Sequence, residues 1–218
     1  MPDIEKEFKM LENYGFKNLY TEFRSKDIQI KFENDFKTLH LDGLLFYQNK
    51  EKQNRYFLTI QIDDGSKKQN NELTVIMLNP SEKQTQNNFI DNTITNVIKI
   101  AYDNNYNKIN ILNLIPVIDT NAKNISSCNF KKENTNLILS FIKDNCSDIL
   151  VAWGEKYPSK TKNLEVKKII EELKNRINVF TFCPSKKHFP KHPARLDLDC
   201  CRNCYGRSGK VKLIEFKP

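Results

Sequence analysis

The sequence lacks the segments that carry a chain into or across a membrane. It has no apolar run approaching the roughly 20 residues of a membrane-spanning helix, and residues 1–7 contain no signal-peptide core. Internal repeats and Gly/Ser-rich linkers are also missing. We therefore expect a cytoplasmic protein that has no membrane partner and acts as a monomer.

Three motifs of common enzyme classes are missing as well. No serine lies in a Gly-x-Ser-x-Gly elbow, and the chain has neither a Gly-x-Gly-x-x-Gly turn nor a Gly-x-x-x-x-Gly-Lys-Ser/Thr loop. These absences argue against an α/β-hydrolase, a dinucleotide enzyme and a nucleoside triphosphatase. No cofactor is expected.

The chain has an excess of positively charged residues. Lysine and arginine number 35 against 27 aspartate and glutamate residues, which gives a net charge of +8 and a pI near 9.1. This balance suits a polyanionic partner, nucleic acid first, although a lysine-rich solvated surface produces it too. With 218 residues, 39% of them hydrophobic, the chain can form one good core and a small appendage.

The C-terminal third contains a cluster of possible zinc or iron–sulfur ligands: Cys183, His188, His192, Cys200, Cys201 and Cys204. Only Cys201 and Cys204 have the two-residue spacing of metal sites, and a single pair is weak evidence. Free cysteines near a loop are the favoured interpretation, so no metal is expected.

The stretch Leu73–Ser81 predicts the central strand of the fold. Its apolar and β-branched run is too short for a globular helix, and Pro80 must end the strand because it donates no ladder hydrogen bond. Strand and helix patterns then alternate: strands at 108–114, 148–153, 177–182 and 211–216, and helices starting near Asp91 or Thr93 and at 134–145 and 163–175. This alternation predicts an α/β fold of three layers, α/β/α, with a mostly parallel central sheet.

The first quarter of the chain predicts a small α+β extension. Residues 3–14 have the spacing of an amphipathic helix, and strand-like pieces follow at 28–32, 39–46 and 56–62. We expect the extension to span residues 1–55 and the main α/β domain to span residues 56–218.

Parallel strands bring the residues after their carboxyl ends to one edge of the sheet, where open α/β folds bind ligands. That edge would gather Asn79, Asn113, Trp153, His192 and the cations of residues 186–195. Trp153 is expected to belong to the core. We predict the active site at this edge.

Four motifs follow one another on alternating strands: Leu78-Asn79-Pro80, Ile111-Leu112-Asn113, Leu150–Gly154 and His192–Arg195. Their order resembles that of the uracil-DNA glycosylase superfamily over roughly residues 56–200. That superfamily has an Asn-Pro or Asp-Pro first motif, an Asn ending the second strand, a strand ending in Trp-Gly, and a His-Pro motif before a DNA-penetrating loop. The Leu-Asn-Pro-Ser form is also similar to an uncharacterised bacterial family. The resemblance implies a uracil-DNA glycosylase-like fold.

The resemblance also implies catalytic roles. Asn79 would position the attacking water, and Asn113 would pair with N3–H and O4 of uracil. His192 would donate to a uracil oxygen as negative charge develops on the leaving base. Asp91 is the nearby carboxylate that would assist or replace Asn79.

The remaining candidate residues would bind the substrate. Pro80, Ser81 and Phe89 would line the base pocket, with Phe189 as an alternative stacking aromatic. Ser81 stands where the most uracil-specific branch has an aromatic residue, which leaves base specificity open. Phosphates would be bound by cations of the last loop: Lys186, Lys187, His188, Lys191 and Arg195.

We therefore expect a monofunctional DNA glycosylase that flips uracil or a related modified base out of single- or double-stranded DNA and hydrolyses its N-glycosidic bond. Two alternatives stay open. One is an N-glycosidase or other hydrolase of free nucleotides, and the other is a catalytically silent nucleic-acid-binding module with the same fold.

Overall fold

A computed structural model gives the fold, and its strands form one mixed eight-stranded sheet. It describes residues 9, 11–12, 20–32, 35–47, 53–65, 71–81, 90–119, 131–144, 148–154, 164–182, 190–196 and 210–217. The strands are β1 (Tyr20–Phe32), β2 (Asp35–Tyr47), β3 (Arg55–Asp63), β4 (Glu72–Met77), β5 (Lys108–Asn113), β6 (Asp148–Val151), β7 (Val179–Phe182) and β8 (Leu213–Glu215).

Three helices connect the later strands: α1 (Asn92–Asp103), α2 (Lys132–Asp144) and α3 (Leu164–Lys174). Helix α1 begins at the predicted cap, because the Asp91 side chain accepts a hydrogen bond from the Ile94 N–H. The predicted helices and the predicted strands of the second half are confirmed to within a few residues. No helix in the described ranges is long and apolar enough to cross a membrane.

The strand order is β1-β2-β3-β5-β4-β6-β7-β8, and only the four central strands β5, β4, β6 and β7 are parallel. The expectation of a mostly parallel sheet is therefore corrected to a mixed sheet with a parallel core. Strands β1, β2 and β3 follow one another without intervening helices, so they pair antiparallel, and β8 closes the other edge antiparallel to β7.

Helices cover both faces of the parallel core, which gives the three predicted layers. Residues of α1, such as Ile94 and Val97, share one hydrophobic cluster with Val75 and Ile111 of the sheet. A second cluster lies on the opposite face, where Leu137 and Ile138 of α2 and Ile169 of α3 pack against the alternate strand residues, including Ile76 and Leu112. Central strands buried on both faces explain the continuous apolar runs of β4 and β6.

The amino-terminal strands belong to the same sheet as the parallel core. Strands β1 and β2 form a hairpin of 13 residues on each side, longer than the predicted pieces, and β2 pairs with β3. Its residues Ile30, Leu39 and Leu41 join the cluster beneath α1. Leu11, from the predicted leading helix, is helical and fully buried in the opposite cluster.

The outer surface of the hairpin carries a titratable group, His40. Its Nδ1 lies 2.6 Å from Oδ1 of Asp27, and its Nε2 lies 3.0 Å from Oγ of Ser25. The hydrogen bond with Asp27, supported by the negative charge of Asp42, raises the pKa of His40 above its ordinary value of 6.5. The protonated ring therefore stabilises the hairpin below pH 6.5, and this stabilisation is lost as the pH rises through the raised pKa.

We predict that Asp27→Asn lowers the pKa of His40 toward 6.5, because it removes the largest cause of the shift. The measurement is a pH titration of the His40 ring signals by NMR in the wild type and the variant. Asp42→Asn is the matched control, and a smaller decrease is expected from it. A larger effect of Asp42→Asn would contradict the assignment of the main partner.

Candidate functional site

The predicted site residues lie at the carboxyl edge of the parallel core. Asn79 follows β4, Asn113 is the last residue of β5, Gly154 follows β6, and His192 belongs to the segment after β7. The parallel register pairs Met77 with Asn113 and Ile76 with Val151, so these strands end at the same level. The polar residues that follow them are brought to one edge, as predicted.

This edge contains a topological switch point between β4 and β6. The chain leaves β4 for β5 on one side and leaves β6 for β7 on the other side, although β4 and β6 are neighbours. The two loops diverge there, which opens a crevice of the kind in which α/β sheets bind ligands. Asn79 and Gly154 lie on its two sides.

Asn79 is held by hydrogen bonds of its own carboxamide. Its Nδ2 donates to the carbonyl oxygens of Asp119, at 2.7 Å, and of Pro80, at 3.1 Å. The Asp119 N–H in turn donates to the Pro80 carbonyl at 3.1 Å. Within the described residues Oδ1 of Asn79 has no hydrogen-bond partner, so this oxygen is the group that can accept a hydrogen bond from a bound water.

The loop after β5 fixes this arrangement from the other side. The Arg55 N–H donates to the Pro116 carbonyl at 2.8 Å, and the Ile118 N–H donates to the Gln53 carbonyl at 3.0 Å. The start of β3 therefore holds the loop that supplies the acceptor for Asn79. Sequence periodicity gave no signal for this contact, because it joins segments that are far apart along the chain.

Asn113 has a fully buried side chain. Along β5, alternation places it on the same face as Ile109 and Ile111, which pack beneath α1. In the part of the chain that the structure describes, neither its Nδ2 nor its Oδ1 has a hydrogen-bond partner. Burying such unpaired groups costs about 1–3 kcal/mol each, and a ligand with adjacent carbonyl and N–H groups would satisfy both.

His192 lies against the end of β6. A β-carbon added at Gly154 would be 3.4 Å from Cβ of His192. The His192 Nδ1 accepts a hydrogen bond from the Ala194 N–H at 3.2 Å. The neutral ring must then carry its proton on Nε2, which makes Nε2 the donor. Asn96 of α1 donates to the Pro193 carbonyl at 2.8 Å and ties this segment to the helix.

Other predicted residues take supporting positions. The Oδ1 of Asp91 accepts from the Ile94 N–H at 2.9 Å, so its carboxylate caps α1 at the same edge. Pro80 is buried, and Ser81 and Lys191 are half-buried beside the crevice. Arg195 ends the short 3₁₀ turn Pro193–Arg195.

Several predicted residues lie outside the described residues: Phe89, Cys183, Lys186, Lys187, His188, Phe189, Cys200, Cys201 and Cys204. Among the residues that are described, no group of three or more His, Cys, Asp or Glu side chains is arranged to hold a metal ion.

Sequence reasoning missed Asn134, in the first turn of α2. Its Nδ2 donates to the carbonyl oxygens of Asn113, at 2.8 Å, and Leu114, at 3.1 Å. The signal available in the sequence was a polar residue, Asn134, on the otherwise apolar side of the predicted helix. Trp153 is 3% exposed and packs edge-on against Phe216, so its predicted place in the core is confirmed.

Tyr56 neighbours the end of β5 and is 1% exposed, and its burial, with the charge of Glu133, raises its pKa to about 12. Its hydroxyl is therefore neutral at physiological pH.

A family model described as a protein of unknown function, DUF1643, matches residues 55–194. The match begins at the first residue of β3 and ends within the His192–Arg195 motif, so it contains Asn79, Asn113, Gly154 and His192 but not Arg195. No curated protein and no solved structure matches the chain.

We predict that Gly154→Ala destabilises the protein by about 1–2 kcal/mol, because Gly154 has a φ of +92°. The new methyl group would also touch His192. Gly65→Ala is the matched control, since Gly65 has a φ of +74° and open space around it. Denaturant unfolding should show a similar loss for both variants, whereas only Gly154→Ala should move the NMR signals of the His192 ring. An unmoved His192 signal in Gly154→Ala would contradict the described contact.

Proposed function

We propose that this chain, which belongs to the DUF1643 family, is a DNA glycosylase that hydrolyses the N-glycosidic bond of uracil or a related modified base. The observation that supports the proposal is the strand register that brings Asn79, Asn113 and the His192 segment to one edge of the parallel core, where the buried carboxamide of Asn113 has no hydrogen-bond partner within the described residues. Their order along the chain resembles that of the uracil-DNA glycosylase superfamily.

The base would be recognised by Asn113. Its Nδ2 is a donor and its Oδ1 is an acceptor, which complements the O4 and N3–H of uracil. Cytosine presents an amino group and an unprotonated ring nitrogen on the same edge, so it would leave both Asn113 groups mismatched. Because unpaired buried groups are costly, such a pair discriminates strongly.

Bond cleavage would use the other two residues. The C1′–N1 bond breaks with its electron pair passing to uracil, while the water oxygen bonds to C1′ of an oxocarbenium-like sugar. The Nε2–H of His192 would donate to the uracil oxygen where this negative charge develops, and the water proton is released to solvent. Asn79 would orient the water through Oδ1.

Asn79 supports the water-positioning role better than Asp91 does. The Asp91 carboxylate already accepts the N–H of Ile94 as the cap of α1, whereas Nδ2 of Asn79 is anchored on two carbonyls and leaves its oxygen to accept. A carboxamide is a weak base, but a strongly electrophilic sugar needs only an oriented water. Asp91 would then contribute by fixing the start of α1.

The base must leave the stack to reach this crevice, so the substrate would be a polymer held by its phosphates. The net charge of +8 favours this substrate over a free nucleotide. Lys191 and Arg195, on either side of the His-Pro motif, are the described residues best placed in sequence to contact phosphates. Lys186, Lys187 and His188 precede them along the chain and lie outside the described residues.

The decisive experiment is base release from labelled single- and double-stranded oligonucleotides that contain one uracil, followed by alkaline cleavage of abasic sites. We expect cleavage by the wild type, with turnover reduced about 10²–10³-fold in His192→Ala and about 10²-fold in Asn79→Ala. His40→Ala is the control, because His40 is exposed and pairs with Asp63 at the edge of the sheet opposite the carboxyl ends of the parallel strands. If both site variants released the base at the wild-type rate, the proposed mechanism would be wrong. If the wild type released no base, a catalytically silent nucleic-acid-binding module would be favoured.

The dependence of binding affinity on salt concentration tests separately whether the substrate is a nucleic-acid polymer. We predict that the affinity for an oligonucleotide falls with salt, with a logarithmic slope of about −0.7 for each phosphate contacted in a single strand and about −0.9 in a duplex. Fluorescence anisotropy from 50 to 300 mM salt, roughly the range over which such contacts weaken, gives the slope. A flat profile, together with hydrolysis of a free deoxyuridine nucleotide, would favour the nucleotide N-glycosidase.

A further inference from the structure

We propose that Asn134 is a positioning residue, which holds the end of β5 so that the carboxamide of Asn113 faces the base-binding crevice. The inference rests on the function proposed above and adds a residue from outside the four sequence motifs. Asn134 lies in the first turn of α2, on the helical layer opposite α1.

Two hydrogen bonds carry the inference. The Nδ2 of Asn134 donates to the carbonyl of Asn113 at 2.8 Å and to the carbonyl of Leu114 at 3.1 Å. The Asn134 side chain is fully buried. One amide group therefore fixes two consecutive peptide units, and the first of them belongs to the residue whose side chain would read the base.

These carbonyls lie where the ladder between β4 and β5 ends. The N–H groups of Leu114 and Ile115 still donate to the carbonyls of Met77 and Leu78, at 2.9 Å each. Pro80, in the loop three residues after the end of β4, has no N–H with which the ladder could continue. Asn134 supplies donors at this level, and buried carbonyls without donors would be unfavourable.

Asn134 acts through the main chain and not by contact with the base. Alternation along β5 directs the Asn113 side chain toward the α1 face, whereas Asn134 approaches from the α2 face. Within the described part of the chain, Oδ1 of Asn134 has no partner, so its NH₂ group makes both described contacts. A residue retained only for packing would not need that group.

The test compares Asn134→Ala and Asn134→Ser with Thr135→Val. Thr135 is the matched control, because it is 2% exposed in the same helical turn, but its hydroxyl donates to the Lys131 carbonyl and not to β5. The first readout is the side-chain NH₂ signal of Asn113 in protein labelled with ¹⁵N-asparagine, assigned by its loss in Asn113→Asp. The second readout is the ratio of uracil release to cytosine release from matched oligonucleotides.

In Asn134→Ala we expect the Asn113 NH₂ signal to move and to exchange with water about tenfold faster, with a loss of selectivity of about tenfold, because both hydrogen bonds to β5 are lost. Asn134→Ser retains one donor and should give an intermediate result, while Thr135→Val should resemble the wild type in both readouts.

An Asn113 signal that responds equally to Asn134→Ala and Thr135→Val would overturn the inference, whatever the activity. If the wild type released no base, the proposed function would fail, but the Asn113 signal would still decide the positioning role. Base release by the wild type with unchanged selectivity in Asn134→Ala would overturn the inference and leave the proposed function standing.

Discussion

The parallel pairing of β4 with β5 on one side and β6 on the other is the constraint on which the site depends. It aligns Met77 with Asn113 and Ile76 with Val151, so three strands end at one level. A shift of β5 by one residue in its pairing with β4 would turn Asn113 to the opposite face of the sheet. The hydrophobic clusters on both faces prevent such a shift, because it would expose a buried row of residues.

In the candidate site some side chains are held by hydrogen bonds to the main chain, whereas the Asn113 carboxamide has no hydrogen-bond partner within the described residues. The carboxamide of Asn79 is held by two hydrogen bonds to main-chain carbonyls, and the ring of His192 accepts one hydrogen bond from the Ala194 N–H. Asn113 is buried, and neither polar group of its carboxamide has a hydrogen-bond partner among the residues that the structure describes, a destabilising state that is found mainly at functional positions.

Local patterns of the sequence predicted the elements that form the site. The end of β4 before Asn79-Pro80 and the cap at Asp91 both follow from residue chemistry within a few positions. The antiparallel pairing of β3 with β5 was not predictable, since it depends on packing between segments separated by about 50 residues. Asn134 was missed for the same reason: its partners are carbonyls 20 and 21 residues away, which leave no trace in side-chain periodicity.

The hairpin of β1 and β2 has a consequence for how the chain can be divided. The segment shared with the family begins at Arg55, the first residue of β3. If the chain began there, β3 would be the outer strand of the sheet, with a long row of apolar residues and unpaired backbone groups facing water. Such an edge is a template for pairing with another copy, and thus for aggregation. The hairpin shields it and contributes core residues beneath α1, so the boundary of the family match falls within one continuous sheet.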